Sequence, residues 1–359
     1  ARLAVFRFWM DVGVVGFRVD AGPYLSERDG TNCENRPYTH AYLKRLRAFV
    51  EEYAPGTLIL SEANQWPEDV RPYLGEGDEF HMNFHFPLMP RIYMALAQAD
   101  RRPILNILAR TPPIPETCQW ATFLRNHDEL TLEMVTDEER RFMWDFYAPE
   151  PRMRLNLGIR RRLAPLLDND RDRIELANSM LFTLPGSPVV YYGDEIGMGD
   201  DIWLDDRDGV RTPMQWSDSL NAGFSLADPA SLYTPVLSDQ TYGYQHVNVE
   251  SQRADPRSLL NWMQAAIAVR RAHPALSRGD IHFLEPKNLA ILTYLRRYED
   301  ETVLVASNLS SEPQVALLEL GSLAGAQPVD LFTGQRLPQI DAEPYPLKLG
   351  GYKFRWLAC

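Results

Sequence analysis

The first two-thirds of the chain alternate short apolar, β-rich runs with longer helical stretches, and this alternation restricts the fold more than any other feature. It is typical of βα units arranged around a parallel sheet. We predict five strands, at residues 14–19, 58–60, 80–84, 122–125 and 189–192. The chain is therefore expected to be an α/β protein over this region.

The rest of the chain contains two long connections and, from residue 281, a different sequence pattern. Residues 129–172 and 196–255 follow the fourth and fifth predicted strands, on the side where α/β enzymes place substrate-facing loops. From residue 281, short alternating strands separated by Gly, Pro and Ser turns predict a small antiparallel β-sandwich domain. We predict a catalytic domain at 1–280 and a C-terminal β domain at 281–359.

Charge and cysteine content narrow the class of protein. The chain has 37 basic and 49 acidic residues, a net charge of −12, which argues against nucleic acid or an anionic membrane as partner. The basic run 160–162 is interpreted as a solvated or salt-bridged helix face. Three widely spaced cysteines predict neither a disulfide framework nor a zinc site, and they favour a cytoplasmic location. No apolar run approaches the roughly 20 residues that span a bilayer.

Polar residues follow three of the predicted strands at their carboxyl ends. Arg18 and Asp20 end the first strand, Glu62 follows the second, and His127 and Asp128 follow the fourth. In a parallel barrel these ends converge on one face. Each acid taken alone could instead cap the next helix, and His127 could be a core histidine. The occurrence of such residues after three strands of one sheet favours a single site.

Three carboxylates and an arginine suit glycosidic chemistry. That reaction needs one ionised nucleophile and one protonated acid, with carboxyl groups about 5–5.5 Å apart when the anomeric configuration is retained. We expect Arg18 to hold Asp20 ionised, while a less charged setting raises the pKa of Glu62.

Three segments, at 16–21 (GFRVDA), 61–63 (SEA) and 125–129 (RNHDE), resemble successive signature motifs of glycoside hydrolase family 13, the α-amylase group. The resemblance implies a (β/α)8 barrel in which Asp20 is the nucleophile and Glu62 the general acid/base. It makes Asp128 the transition-state stabiliser, gripping sugar hydroxyls together with His127. Residues 188–195 look like the last barrel strand of that family.

A second set of motifs is similar to one exo-acting branch of the family. Residues 211–216 (RTPMQW) and 221–224 (NAGF) resemble the branch of α-glucosidases, oligo-1,6-glucosidases and trehalose synthases, in which Arg211 helps to close a one-sugar pocket. Longer stretches, at 82–89, 130–139 and 159–170, resemble the trehalose synthases. This implies an isomerase that converts maltose to trehalose reversibly, with some hydrolysis as a side reaction.

Two other functions stay open at this point. An α-glucosidase or oligo-1,6-glucosidase would use the same residues in a pocket that admits water. A non-catalytic barrel that binds a partner protein would not need the three acids. The expected ligands are maltose, trehalose and glucose, no organic cofactor is implied, and a homo-oligomer is possible.

The resemblance also implies a structural calcium ion and further strands. The carbonyls of Tyr24 and Leu25 with the Glu27 carboxylate are suitable donors, although calcium takes 6–8 oxygens. A plain turn with Glu27 exposed is the alternative. Only about strands four to eight of the barrel are visible, and the chain opens in mid-helix at Leu3 with no cap before it. We therefore expect residues 1–359 to be the C-terminal part of a longer protein, inactive by itself.

Overall fold

The computed structural model describes residues 2–341 and 344–359. None of its helices is long and apolar enough to cross a membrane, and Cys33, Cys118 and Cys359 are unpaired. The α-helices in the described part are α1 (Arg2–Val12), α2 (Pro37–Tyr53), α3 (Pro67–Val70), α4 (Leu88–Gln98), α5 (Arg102–Arg110), α6 (Asp137–Tyr147), α7 (Leu163–Leu166), α8 (Arg171–Thr183), α9 (Val249–Ala254), α10 (Leu259–Ala272) and α11 (Pro274–Arg278).

A parallel sheet of five strands forms the first part of the chain, in sequence order from one edge to the other. Its strands are β1 (Gly16–Val19), β2 (Leu58–Ser61), β3 (Met82–Phe84), β4 (Gln119–Phe123) and β5 (Ser187–Val189). Helices cross between successive strands, which gives the α/β architecture predicted from the alternation. Within a few residues, β1 to β4 coincide with the predicted strands.

The fifth strand lies earlier than predicted. It covers Ser187–Val189 and ends where residues 190–192 were expected to continue it. Pro188 is tolerated there because β5 is an edge strand of the sheet, where its missing N–H leaves no partner unpaired. Tyr191 and Tyr192 leave the sheet because their hydroxyls donate to the carbonyls of Val210, at 3.0 Å, and Thr212, at 2.7 Å.

The long connection 129–172 is more structured than a plain loop. Helix α6 begins at a capping box in which the Thr136 hydroxyl accepts from the Glu139 N–H and the Glu139 carboxylate accepts from the Thr136 N–H. Two-residue strands, Arg154–Leu155 and Gly158–Ile159, then form a small hairpin.

Helix α10 begins later than its sequence indicates. Asp255-Pro256 resembles a helix start, but the hydroxyl of Ser258 caps the helix by accepting from the N–H of Asn261. Asp255 instead ends the preceding helix α9. The Ser258 cap places Met263 and Ala266 on the buried face and leaves Ile267 partly exposed.

In its described residues, 280–341 and 344–359, the C-terminal region is a β-sandwich of seven strands in two antiparallel sheets. One sheet has the order β10-β12-β8-β7-β6, and β9 pairs with β11 in the other. Its strands are β6 (Asp280–Leu284), β7 (Ile291–Tyr298), β8 (Glu301–Asn308), β9 (Gln314–Leu318), β10 (Val329–Asp330), β11 (Tyr345–Leu349) and β12 (Phe354–Ala358). The parallel sheet with its helices is thus a partial barrel followed by a β domain.

The larger antiparallel sheet is buried on both faces. Leu295 and Leu304 pack into the sandwich, whereas Tyr294 and Trp356 on the other face pack against the barrel helices. The Trp356 indole N–H donates to Ser179 Oγ at 2.8 Å, and the hydroxyls of Tyr294 and Thr183 lie 2.5 Å apart.

Three arginines at this junction bond to backbone carbonyls. Arg101 donates to Pro286 at 2.9 Å and to Asn288 at 2.7 Å. Arg270 donates to Gly186 and Leu276, and Arg296 donates to Gly279 and Thr183. Arg101 and Arg296 therefore join the two domains with buried charged donors and neutral acceptors, whereas the acceptors of Arg270 all lie in the barrel domain.

Candidate active site

The acids that follow β1 and β2 form one cluster around Arg18. The Arg18 guanidinium donates to Asp20 Oδ1 at 2.9 Å and pairs with Glu62 Oε2 through its other terminal nitrogen. Asp20 is largely exposed, and Glu62 is mostly buried, with a fifth of its side chain accessible. One guanidinium therefore holds both carboxyl groups at the carboxyl edge of the sheet. The less charged setting expected for Glu62 was wrong, because Glu62 contacts the same arginine as Asp20 and burial is what raises its pKa.

The two carboxyl groups have pKa values displaced in opposite directions. A hydrogen bond from Glu62, followed by the influence of Arg18, lowers the pKa of Asp20. Burial, followed by the hydrogen bond to Asp20, raises the pKa of Glu62 to about 7. At neutral pH Asp20 is ionised, while Glu62 carries a proton in a large fraction of molecules. This is the division that a nucleophile and a general acid require.

Backbone hydrogen bonds beyond the strands fix this pair. The Glu62 N–H donates to the Val19 carbonyl and the Gly22 N–H donates to the Glu62 carbonyl, both at 3.1 Å. Glycine is required at position 22 because a Cβ there would lie 2.4 Å from Ser61 Oγ. The close approach of these two strand ends brings acids 42 positions apart in sequence to one place.

Asp128 lies in a second cluster, with three cationic or basic side chains around it. Its Oδ1 is 2.9 Å from an Arg211 terminal nitrogen and 3.2 Å from one of Arg207, and its Oδ2 is 3.3 Å from His127 Nε2. Arg211 Nε also donates to the His127 carbonyl at 2.7 Å. The structure thus brings together His127, Asp128 and Arg211, which the sequence selected separately.

A fully buried arginine positions the backbone of this second cluster. Arg125 donates to the Asp128 carbonyl at 2.6 Å and to the Arg161 carbonyl at 2.5 Å. The Asp128 N–H donates to Asn126 Oδ1 at 3.0 Å. These bonds hold the segment after β4 in place, so that the Asp128 carboxylate is presented at the sheet edge.

The two clusters interact electrostatically through His127. Its imidazole contributes to the lowered pKa of Asp20, and Arg18 contributes to the lowered pKa of His127, for which burial is the main cause. Asp20, Glu62 and Asp128 all follow strands of one parallel sheet at the same edge, and His127 lies near enough to the first cluster to influence it. A substrate lying there would meet all three acids.

Arg207 is a site residue that sequence reasoning missed. It contacts Asp128 Oδ1, and its Nε lies 3.4 Å from Glu129 Oε2. No motif marks it, because it lies in a loop 79 positions after Asp128 and only the folded path of 199–211 brings it back. Its proximity to the RTPMQW motif is the single signal that could have suggested it.

The basic run 160–162 is neither solvated nor on a helix face, so that part of the interpretation was wrong. It is salt-bridged as the other alternative had it, because Arg161 pairs with Asp200 at 2.9 Å and Arg162 with Asp194 at 3.6 Å. Arg160 is buried and donates to the carbonyls of Leu204 at 2.7 Å and Asp206 at 2.6 Å. Arg162 is fully buried beneath the rings of Tyr191 and Tyr192. The run follows a hairpin, and its side chains extend inward to loop carbonyls that would otherwise lack donors. Arg160 thereby fixes the loop that carries Arg207.

The segment predicted to bind calcium is a short turn after β1. Tyr24 is exposed and its hydroxyl donates to Glu34 Oε1 at 2.6 Å, while Leu25 and Glu27 line a cavity that Arg45 also lines. No group of three His, Cys, Asp or Glu side chains suited to a metal occurs among residues 2–341 and 344–359. These donors do not make up the 6–8 oxygens that calcium takes, so calcium stays a prediction.

Two family models match the chain. The alpha amylase catalytic domain matches residues 2–145 and 160–279, and the maltogenic amylase C-terminal domain matches residues 281–356. Solved structures with the same fold include an alpha-amylase from H. orenii, with a TM-score of 0.72 and 21% identity over 99% of this chain and 63% of that one. A trehalulose synthase mutant soaked with trehalulose gives a TM-score of 0.71 at 22% identity, covering 100% and 68%.

Curated relatives are more similar in sequence. A trehalose synthase/amylase of Mycobacterium tuberculosis is 56% identical over 99% of this chain and 60% of its own length. A trehalose synthase of Thermus thermophilus is 52% identical over 99% of this chain and 37% of its own length. The chain thus spans about 60% or less of these two proteins. Since the catalytic-domain model matches most of the chain, the protein belongs to the alpha-amylase family, glycoside hydrolase family 13.

Proposed function

We propose that the protein converts maltose to trehalose, reversibly, by a retaining double displacement. The identity to trehalose synthases over almost the whole chain supports this activity. The single observation that carries the proposal is the Arg18 bridge between two carboxyl groups whose pKa values move apart.

In the first half of the reaction the ionised Asp20 carboxylate attacks the anomeric carbon of the non-reducing glucose of maltose. A bond forms between that carbon and Asp20, and the glycosidic C–O bond breaks. Glu62 gives its proton to the leaving oxygen, so that neutral glucose departs and a glucosyl-enzyme is left. Glu62 can act in this way because burial keeps it protonated near neutral pH.

In the second half Glu62 is ionised and acts as a base. The freed glucose turns and presents its own anomeric hydroxyl, whose proton passes to Glu62 while its oxygen attacks the glucosyl carbon. The bond to Asp20 breaks, giving the α,α-1,1 linkage. Two inversions at one carbon retain its configuration, and Glu62 regains the proton it donated.

Asp128 is proposed to bind hydroxyls of the reacting sugar. In the free protein its carboxylate is held by Arg207 and Arg211, both from the loop after β5, and by His127. Those contacts keep its carboxylate aimed at the site. The same loop folds over Asp128, which supports a role in excluding water from the glucosyl-enzyme.

Product analysis of the intact protein that contains this chain tests the proposal, because the chain spans about 60% or less of the relatives' length. Incubation with maltose is expected to yield trehalose, identified by its symmetric NMR spectrum, with free glucose as a minor product. Glucose as the sole product contradicts isomerisation and supports the α-glucosidase alternative. Calcium, a homo-oligomer and a cytoplasmic location stay predictions, and no step above depends on them.

A substitution tests whether the site is catalytic at all. Asp20→Asn removes the nucleophile and is expected to lower kcat by about 10³-fold or more. Asp145→Asn, at an acid on α6 that is 82% exposed, is the matched control and should keep full turnover. Full turnover by Asp20→Asn would instead favour a non-catalytic barrel.

A further inference from the structure

Three charged residues are buried next to the Asp128 cluster, and the mechanism above does not use them. Arg125 and Arg162 are fully buried, and Asp194 is 4% exposed. Asp194 lies in the short turn Asp194–Ile196 that follows β5, and its Oδ1 is 3.6 Å from a terminal nitrogen of Arg162. We call Arg125, Arg162 and Asp194 the buried charge cluster.

The buried charge cluster contains two cations and one acid. In the described part of the chain, Asp194 is the only acid that forms an ion pair with Arg162, and no acid among the same residues pairs with Arg125. Burial lowers the pKa of Arg125, and Asp194 acts against this effect, whereas Arg162 adds to it. Asp194 therefore interacts favourably with both guanidiniums, which repel each other.

The ionised form of Asp194 depends on these arginines. Burial raises the pKa of Asp194 to about 7, Arg162 and Arg125 act in the opposite direction, and Glu195 adds to the rise. Above pH 7 the carboxylate predominates and offsets one of the two buried positive charges. A buried ion pair that loses one partner leaves the other charge uncompensated, which strongly disfavours the native arrangement.

Arg125 connects the buried charge cluster to the backbone of Asp128. Its Nε donates to the Arg161 carbonyl at 2.5 Å, and its Nη2 donates to the Asp128 carbonyl at 2.6 Å. Its remaining nitrogen, Nη1, is buried and has no hydrogen-bond partner among the described residues. Two charge-assisted hydrogen bonds thus determine where the segment that carries the Asp128 carboxylate lies.

Arg162 connects the buried charge cluster to Arg211. The Arg162 guanidinium donates to the Tyr192 carbonyl at 2.7 Å and lies 4.6 and 4.7 Å from the ring centroids of Tyr191 and Tyr192. The hydroxyls of the two tyrosines donate to the main-chain carbonyls on either side of Arg211. Since Arg211 donates to Asp128 Oδ1 at 2.9 Å, both partners of that contact are held from the same buried cluster.

The turn that carries Asp194 fits closely against Arg162. Gly193 has a φ of 86°, and a Cβ there would lie 3.0 Å from Arg162 Nη1 and 2.4 Å from Met198 Sδ. The Asp194 N–H donates to the Tyr191 carbonyl at 3.1 Å. The position of Asp194 is therefore fixed by the same segment whose tyrosines bond to either side of Arg211.

We propose that Asp194 is a positioning residue that, as the counter-charge of the buried charge cluster, keeps Asp128 and Arg211 in place around the reacting sugar; this rests on the proposed function. Asp194 is buried and acts only through the two arginines. Without its charge the guanidiniums repel each other, and the backbone segments that they hold are displaced. A displacement of about 1 Å at a group that binds the transition state can lower a rate by about 10²-fold.

A double-mutant cycle with Asp128 tests the proposal in the intact protein that contains this chain. Release of fluoride from α-glucosyl fluoride at pH 7.5 reports formation of the glucosyl-enzyme. Asp194→Asn should lower kcat by about 10²-fold and change KM by less than about threefold, because the contacts of Asp128 tighten in the transition state. In the Asp128→Asn background the same substitution should lower kcat by no more than about twofold, because its effect passes through Asp128.

Two further variants separate positioning from a general loss of stability. Asp330→Asn removes a buried acid that pairs with Arg355 at 2.9 Å in the β domain, so it should lower the Tm but leave kcat within about twofold. Asp194→Glu retains the charge but adds a methylene, so it should recover about tenfold in kcat relative to Asp194→Asn. If Asp194→Asn does not fold, the cycle is run with Asp194→Glu, and an Asp194→Glu variant with full turnover then overturns the proposal, because Asp194 would serve folding alone.

Each other outcome has a definite meaning. A kcat for folded Asp194→Asn within about threefold of the wild type overturns the proposal, and so does an equal loss with and without the Asp128 carboxylate. An equal loss of kcat in Asp330→Asn also overturns it, since any buried ion pair would then have the same effect. Wild-type protein that consumes α-glucosyl fluoride but forms no trehalose from maltose refutes the proposed function, and the cycle still decides the role of Asp194. Wild-type protein that consumes neither substrate refutes both.

Discussion

Replacing Arg18 with methionine should shift the pH dependence of catalysis in a direction fixed by the geometry. Arg18 lies 2.9 Å from Asp20 and also pairs with Glu62. Asp20 is 76% exposed, so a water-like dielectric applies, and a charge pair at about 2.9 Å then interacts by about 1.4 kcal/mol, or about one pKa unit. Loss of the cation disfavours both carboxylates, so both pKa values rise.

The direction in which kcat/KM changes with pH follows from the protonation state that each carboxyl group needs for catalysis. Glu62 must be protonated to donate, so kcat/KM for maltose falls as pH rises through its pKa, which is about 7 in the wild type. In Arg18→Met this alkaline limb should move up by at least about one pH unit, since Glu62 holds its proton more tightly and its charge pair is less screened than that of Asp20. Asp20 stays ionised at neutral pH, and kcat should drop by about 10²-fold because the pair is no longer oriented.

The measurement is a profile of kcat/KM against pH for wild type, Arg18→Met and Arg18→Lys. The lysine variant retains the positive charge but lacks the two terminal nitrogens that contact Asp20 and Glu62. Its alkaline limb should therefore stay near that of the wild type while its kcat falls. An alkaline limb that stays in place or moves to lower pH in Arg18→Met would refute the reasoning, because Arg18 would then not control the acid.

Three further predictions concern the framework of the site. Gly22→Ala should destabilise the fold by about 1–3 kcal/mol in urea unfolding, because the new Cβ meets Ser61 Oγ, and adding Ser61→Ala should restore part of that loss. Tyr294→Phe should cost about 1 kcal/mol by removing the hydrogen bond to Thr183, and an unchanged urea midpoint contradicts this. Calcium at the turn after β1, expected from the family resemblance, should make the Tm rise when calcium chloride replaces a chelator; an identical Tm contradicts it.

The parts of the site that lie on strand ends could be predicted from the sequence. Asp20 and Glu62 immediately follow parallel strands, so their convergence depends only on strand direction and adjacency. The Arg18 contact to Asp20 follows from its place two residues earlier on the same strand, whereas its contact to Glu62 was not predicted. The local sequence pattern was sufficient to predict that Asp20 and Glu62 lie together, because a regular parallel sheet fixes the relative positions of its strand ends.

Residues that act through loops could not be predicted in this way. Arg207 meets Asp128 because Arg160 bonds to the carbonyls of Leu204 and Asp206, a contact between segments that no periodicity encodes. The basic run 160–162 was misjudged for the same reason. Its charge does not show that buried carbonyl acceptors, such as those of Leu204 and Asp206, exist in the folded protein. The early end of β5 has a similar cause, because the tyrosines after it bond to a distant loop.

The arginines that join the two domains have a practical consequence for handling the protein. Arg101 and Arg296 donate across the junction to main-chain carbonyls, which do not titrate between mild acid and mild base. The catalytic carboxyl groups, in contrast, lose their division of roles once Asp20 is protonated. We therefore expect acid to abolish turnover and to weaken the His273–Glu301 and Lys353–Asp172 pairs that also cross the junction, while the arginine bonds keep the domains joined, so that neutralisation returns active enzyme without refolding.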